Sequence, residues 1–388
     1  MALARAKELD EHLEKTGKVV GPLHGLPISL KDQFRVKGLE TSMGYVAWIG
    51  KYEEKNSDLV ELLLKAGAVF YVKTSVPQSL MVCETINNVI GRTVNPRNKN
   101  WSCGGSSGGE GAIVGLRGGV IGVGTDIGGS IRIPSAFNFL YGLRPSHGRF
   151  PYGKMANSME GQETVHSVCG PLTHSIAGIE TVVSTMKKAG HTVLPWEPYK
   201  HPYAVDLING IYAGDGGTDV FNTLKESGEP AIPNFGDLIK PDLPKIDMNE
   251  LWEVHLKKWA YQSEYLEQFR IFEEKHGKEL DAIIAPISPT AAIRHNQFKY
   301  YGYAAAINLL DFTSVVVPVT FADKNIDKIN EGFKALTEID KTVQAEYDPE
   351  AYHGAPIAVQ IIGRRLTEER IMAIAEEIGK LLGNEITP

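Results

Sequence analysis

Two serines in one glycine-rich stretch offer the first chemistry. Ser106 lies in Gly104-Gly105-Ser106-Ser107-Gly108-Gly109-Glu110. Ser130 lies in Gly124-Thr125-Asp126-Ile127-Gly128-Gly129-Ser130-Ile131-Arg132, twenty-four residues further on. A serine hydroxyl is a weak nucleophile until a base removes its proton, so its partners decide what it can do. A phosphate loop fails as a reading. The G-x-x-x-x-G frame is followed by Glu110-Gly111, where Lys and Ser or Thr are needed, and a carboxylate there repels a nucleotide. The dinucleotide fingerprint fails too, because Gly122-Val123-Gly124 meets its next glycine at Gly128, one position late. A hydrolase elbow, G-x-S-x-G, fits Gly104-x-Ser106-x-Gly108, and Asp281 and His353 follow in the required order. Its setting is wrong, since an elbow serine tops a buried strand and Arg97 to Cys103 is polar.

Taken together, both ends of the block resemble the signature of the amidase signature family. An upstream piece, Gly21-Pro22-Leu23-His24-Gly25-Leu26-Pro27-Ile28-Ser29-Leu30-Lys31-Asp32, resembles the family's lysine segment. Downstream, Asp281 to Pro286, Asn308 to Val319 and Gly354 to Arg364 are similar to its later strands. Leu143 to Tyr152 is most similar to the fungal acetamidase-type members.

The resemblance implies a Ser-cisSer-Lys set: Ser130 as nucleophile, Ser106 as bridging serine after a cis peptide bond, and Lys31 as base. Such a lysine must be neutral, which requires burial to lower its pKa several units from about 10.4. The bridging serine relays the proton and returns it to the leaving amine. Ile127, Gly128, Gly129 and Ser130 are the expected oxyanion donors, each contributing about 3–4 kcal/mol. A helix from Ile131 to Leu140 is expected to add its dipole at Ser130. Asp126 and Arg132 are expected to brace the loop, with Ser107 and Thr125 in support and Thr125 also touching substrate. Met81 and Cys83 have two equal readings, pocket lining and packing. Taken alone, Lys31 reads as a surface lysine paired with Asp32; the apolar segment before it and the signature favour a buried base. His147, His166 and His174 read as ordinary hydrogen-bonding histidines.

The implied reaction is hydrolysis of a small-molecule carboxamide through an acyl-enzyme on Ser130, without metal or organic cofactor. Two alternatives stand beside it: a glutaminase-like amidotransferase subunit, and a non-catalytic remnant of the family. The chain departs from the family pattern twice. It starts shortly before the lysine segment, and it joins Gly170–Glu180 almost directly to Lys188–Val193, as if shortened near 180–188. It is otherwise read as a single amidase signature domain, 1–388.

The elements that must position these residues alternate between helix and strand. Ala2 to Glu14 has a helical composition, and Leu26 to Leu30 has β character. Ser57 is expected to cap a helix carrying Leu59, Leu62 and Leu63 that stops at Gly67. Strand-like runs follow at Ala68–Val72, Gly119–Gly124, Ala282–Ala285, Ser314–Thr320 and Ile357–Ile362, and Ile371 to Leu382 has helical spacing. Residues 199–278 read as helices broken by prolines. The implied fold is α/β, one large twisted mixed β-sheet covered by α-helices on both faces. Hydrophobic residues at 43% and charged residues at 22% suit a folded enzyme, and a net charge of −7 argues against a nucleic-acid surface. Apolar runs are too short to span a membrane. Three cysteines without C-x-x-C spacing favour a reducing compartment, and the protein is read as cytoplasmic, with a homodimer left open.

Overall fold

The computed structural model describes residues 1–174, 192–236 and 238–381, so the join expected near 180–188 lies outside the described residues. Its strands are β1 (Pro27–Lys31), β2 (Val69–Thr74), β3 (Ile86–Asn87), β4 (Gly91–Arg92), β5 (Ile121–Asp126), β6 (Leu140–Arg144), β7 (Val168–His174), β8 (Ile283–Pro286), β9 (Thr313–Phe321) and β10 (Pro356–Gly363). Eight of them form one mixed sheet in the order β2-β1-β5-β7-β6-β9-β10-β8. β1 runs parallel to β2 and to β5, and the other neighbours pair antiparallel. The remaining two, β3 and β4, make a small hairpin.

The helices are α1 (Ala2–Thr16), α2 (Asp58–Lys65), α3 (Gly108–Gly115), α4 (Arg132–Phe137), α5 (His201–Tyr212), α6 (Thr218–Ser227), α7 (Met248–His276), α8 (Gly302–Leu310), α9 (Glu338–Glu346), α10 (Pro349–Tyr352) and α11 (Glu368–Leu381). Strand β9 shows why both sheet faces are covered. Side chains alternate across a strand, and here both sets are apolar. Val315, Val317 and Val319 pack with Ile371, Ala375 and Ile378, one face of α11. Val316 packs the other way, with Ile133 and Ala136 of α4 and Ala304 of α8.

Two local expectations change. Ser57 occupies the position before α2, but its hydroxyl bonds the Arg35 carbonyl at 3.4 Å rather than capping the helix. The helix expected from Ile131 to Leu140 is only six residues long, Arg132–Phe137. Asn138 closes it, its Nδ2 donating to the Pro134 carbonyl at 2.7 Å and to the Cys103 carbonyl at 2.8 Å. Phe139 then turns at φ 60°, and Leu140 opens β6.

The glycines of β5 let α3 lie directly on the sheet. A Cβ on Gly122 would stand 1.9 Å from Glu110 Oε2, and one on Gly124 would stand 2.7 Å from Ser107 Oγ. Neither position has room for alanine. The glycine-rich composition therefore reflects close approach of backbone, not flexibility.

Candidate active site

Parallel pairing fixes the first relationship. Ile28, Ser29 and Leu30 stand opposite Ile121, Gly122 and Val123, so the C-terminal ends of β1 and β5 meet at one edge of the sheet. Lys31 ends β1, and Thr125-Asp126 ends β5. Lys31 Nζ lies 2.8 Å from Ser106 Oγ and 2.6 Å from Thr125 Oγ1. Ser106 stands just before α3, and the Gly105–Ser106 peptide bond is cis. Ser107 ties the pieces together. Its amide donates to the Ser130 carbonyl at 3.1 Å, and its hydroxyl bridges the amide and carbonyl of Thr125 at 3.2 Å each.

Lys31 is fully buried and does not pair with its neighbour Asp32. Asp32 faces elsewhere, accepting from the amides of Ser42 and Met43 and pairing with Lys73 at 3.3 Å. Burial pulls the Lys31 amine down to about 7, against the opposing pull of Asp126 and Glu110. Glu110 is as dry as the lysine. Burial pushes its carboxyl up to about 7, while Ser29 and Thr74 each donate to it at 2.5 Å.

The loop around Ser130 is held from beneath. Asp126 accepts from the Gly129 amide at 2.9 Å, from the Ile131 amide at 3.1 Å and from Asn308 at 2.8 Å. Arg132 meets the same carboxylate through Nε and Nη2, each at 3.0 Å, and reaches Gln360 Oε1 at 2.9 Å. Burial alone would raise the Asp126 carboxyl, but Arg132 holds it well below the usual carboxylate range. Gly129 therefore leaves the expected set of four oxyanion donors, because its N–H is already engaged by Asp126. Among the described residues, the N–H groups of Gly128 and Ser130 meet no acceptor. The dipole argument also weakens, since α4 starts two residues after Ser130 and is short.

Ser130 opens onto a cleft of about 240 Å³ whose wall includes Met81, Ile127, Gly128, Tyr212, Phe235 and Tyr301. Its hydroxyl makes no hydrogen bond among the described residues, so it is joined to Ser106 through backbone rather than through its own proton. Met81 and Cys83 both line the cleft. Thr125, expected to touch substrate, is not among the residues lining this cleft. It is 3% exposed, and its hydroxyl lies between Lys31 and Gln33. The elbow alternative comes apart: Asp281 pairs with Arg370, and His353 lies 3.8 Å from Asp323. His147 and His166 stack on each other with ring centroids 3.9 Å apart.

Several residues of the site were not singled out from the sequence, although Asn308 and Gln360 lie in segments that resemble the family's later strands. Asn308 and Gln360 arrive from α8 and β10 to complete the Asp126–Arg132 cluster. Tyr212, on α5, donates to the Ile127 carbonyl at 2.8 Å. In a trans peptide the carbonyl and the following N–H point opposite ways, so this bond aims the Gly128 N–H.

Comparison with known proteins agrees with this geometry. The chain matches the Amidase family over residues 1–182 and 176–372. An acetamidase of Emericella nidulans is 64% identical over 449 aligned positions, covering 100% of this chain and 82% of that protein. An acetamidase of Aspergillus oryzae is 57% identical, covering 99% and 82%. Among solved structures, a fatty acid amide hydrolase superposes with a TM-score of 0.91 at 30% identity, covering 98% of this chain and 77% of that one. With the match spread along nearly the whole sequence and the fold shared, the chain belongs to the Amidase family of amidase signature enzymes.

Proposed function

We propose that this chain hydrolyses a short carboxamide to a carboxylate and ammonia or an amine, with Ser130 as nucleophile, Ser106 as relay and Lys31 as base. One observation carries the assignment: a fully buried lysine whose amine, among the described residues, is hydrogen-bonded only to the hydroxyls of Ser106 and Thr125. An amine desolvated in this way is neutral over much of the neutral range and can accept a proton. Ser130 Oγ attacks the amide carbonyl carbon, its proton passes to Ser106 Oγ, and the Ser106 proton passes to Lys31 Nζ. Gly128 and Ser130, with Ile127, supply N–H groups to the oxyanion. The same relay run backwards protonates the amide nitrogen, the C–N bond breaks, and the acyl group stays on Ser130. Water then repeats the sequence and releases the acid. Asp126 and Arg132 hold the loop and do no chemistry.

A cleft of about 240 Å³ and the similarity to acetamidases both favour short aliphatic amides. We read residues 1–388 as one domain shortened near 180–188. The family match falls into two stretches that meet there, and the Emericella alignment runs to 449 positions against 388 residues. No helix among the described residues is long and apolar enough to cross a membrane. The three unpaired cysteines favour a reducing, cytoplasmic setting.

A fluorophosphonate probe tests the mechanism, with the adduct located by mass spectrometry and an amide panel run from acetamide upwards. Labelling at Ser130 that disappears in Lys31→Ala is the expected result. Labelling at Ser106 would restore the elbow reading, and a folded protein that takes no label would be the non-catalytic remnant. Turnover of glutamine alone would point to the amidotransferase subunit.

A further inference from the structure

We propose that Gln33 is a positioning residue for this reaction: it fixes the proton of the Thr125 hydroxyl so that the lone pair of neutral Lys31 is left for Ser106. The inference rests on the Ser130–Ser106–Lys31 reading above. It follows from a chain of hydrogen bonds whose polarity is set at the far end. Asn157 Nδ2 donates to the Met155 carbonyl at 3.3 Å, which turns Asn157 Oδ1 towards Gln33. A carbonyl oxygen only accepts, so the group facing it at 2.9 Å is Gln33 Nε2, which also lies 2.8 Å from Tyr152 OH. Tyr152 is held in turn by Ser167 Oγ at 2.8 Å. The other end of the Gln33 amide is therefore Oε1, and it faces Thr125 Oγ1 at 2.7 Å. That oxygen can only accept as well, so the single Thr125 proton goes to Gln33.

Thr125 then presents only lone pairs to Lys31, 2.6 Å away. A neutral amine has two N–H groups and one lone pair. One N–H goes to Thr125, and the lone pair remains for the Ser106 proton at 2.8 Å. Without Gln33 the Thr125 hydroxyl is free to rotate and donate to the amine, which occupies the lone pair the relay needs. Gln33 is 2% exposed and does not line the cleft, so its link to the amine runs through Thr125. The charged groups around the amine are Asp126, at the end of β5, and Glu110, on α3. Gln33 brings no charge to that set, which suits a base that has to be neutral.

The test is a double-mutant cycle on the full chain with Gln33→Leu, Thr125→Val and the pair together, read by kcat, KM and the rate of probe labelling at Ser130 across pH. Gln33→Leu is expected to lower kcat and the labelling rate by about tenfold to a hundredfold with KM unchanged. The double variant should be no slower than Thr125→Val alone, because the first residue has nothing left to position. Gln33→Glu keeps the acceptor and adds a negative charge. It should recover most of the high-pH rate while moving the acid limb to higher pH. Wild-type rates in Gln33→Leu, or losses that multiply in the double variant, would overturn the proposal. If Gln33→Leu does not fold, Gln33→Glu decides: an unmoved acid limb also overturns it. A wild-type protein unlabelled at Ser130 would instead overturn the underlying mechanism, so the two failures are told apart.

Discussion

The floor and the wall of this site are built on opposite principles. On the floor, Lys31, Ser106, Ser107, Thr125, Asp126 and Arg132 are all buried, and nearly every polar atom has a stated partner. On the wall, Met81, Phe235, Leu238 and Phe298 contribute apolar shape, beside a polar edge at Glu84 and Asn234 and the hydroxyls of Tyr212 and Tyr301. The floor is a dry network in which each group limits what the next can do, so a change at one place leaves another group unsatisfied. The apolar part of the wall is packing, which tolerates a change of volume and answers with a change of preference. Chemistry should therefore fail at the floor and selectivity should move at the wall.

The difference can be tested in order of expected size. Lys31→Met should lower kcat/KM by about 10³-fold or more on every amide in the panel. A lysine base works only when neutral, and burial brings the Lys31 amine down to about 7. Activity should therefore rise with pH through about 7 and level off above it, and a profile falling over that range would contradict the assignment. Asp126→Asn leaves the Arg132 guanidinium buried without its counter-charge. A loss of about 3–5 kcal/mol in urea unfolding is expected. Equal stability to the parent would show that the floor is not the constrained half.

The wall variants are milder. Tyr212→Phe removes the bond that aims the Gly128 N–H. It should lower kcat about tenfold with KM unchanged, less than the ~10²–10³ seen when an oxyanion donor is deleted outright. Met81→Ala should act least on rate and most on choice, shifting preference towards longer acyl chains by about 1 kcal/mol per added methylene. A Met81→Ala enzyme inactive on every amide would erase the distinction between the two halves.

Legibility in the sequence follows the same division. Lys31, Ser106, Thr125, Asp126, Ser130 and Arg132 sit in three short segments whose glycines and spacing are local, so they can be found by reading along the chain. Six of the eight strands of the sheet were legible for the same reason, as short apolar runs, whereas β6 and β7 were not read as strands. Asn308 and Gln360 lie in segments that resemble the family's later strands, but their place in the site was not legible, since they meet Arg132 from 176 and 228 residues away. Glu110 was visible only as a residue that repels a nucleotide. That Ser29 and Thr74 embrace it depends on α3 lying against β1, β2 and β5. The end of α4 was misplaced because the Asn138 cap depends on the Cys103 carbonyl, 35 residues away. Tyr212 lies in a stretch that reads only as helix.

Lys31 and Asp32 are adjacent in the chain yet face opposite sides, one into the dry relay and one towards Lys73 and the turn at Ser42-Met43. Successive residues at a strand end alternate in direction, so a shift of one position turns each to the face the other occupied. Deleting a single residue within β1 ahead of Lys31 would bring the Asp32 carboxylate to the place of the Lys31 amine and the Gln33 amide to the place of Asp32, with the composition of the site almost unchanged. The reading frame of the pleat is thus itself an inherited part of the catalyst, and β1 should be less forgiving of a lost residue than of almost any replaced one.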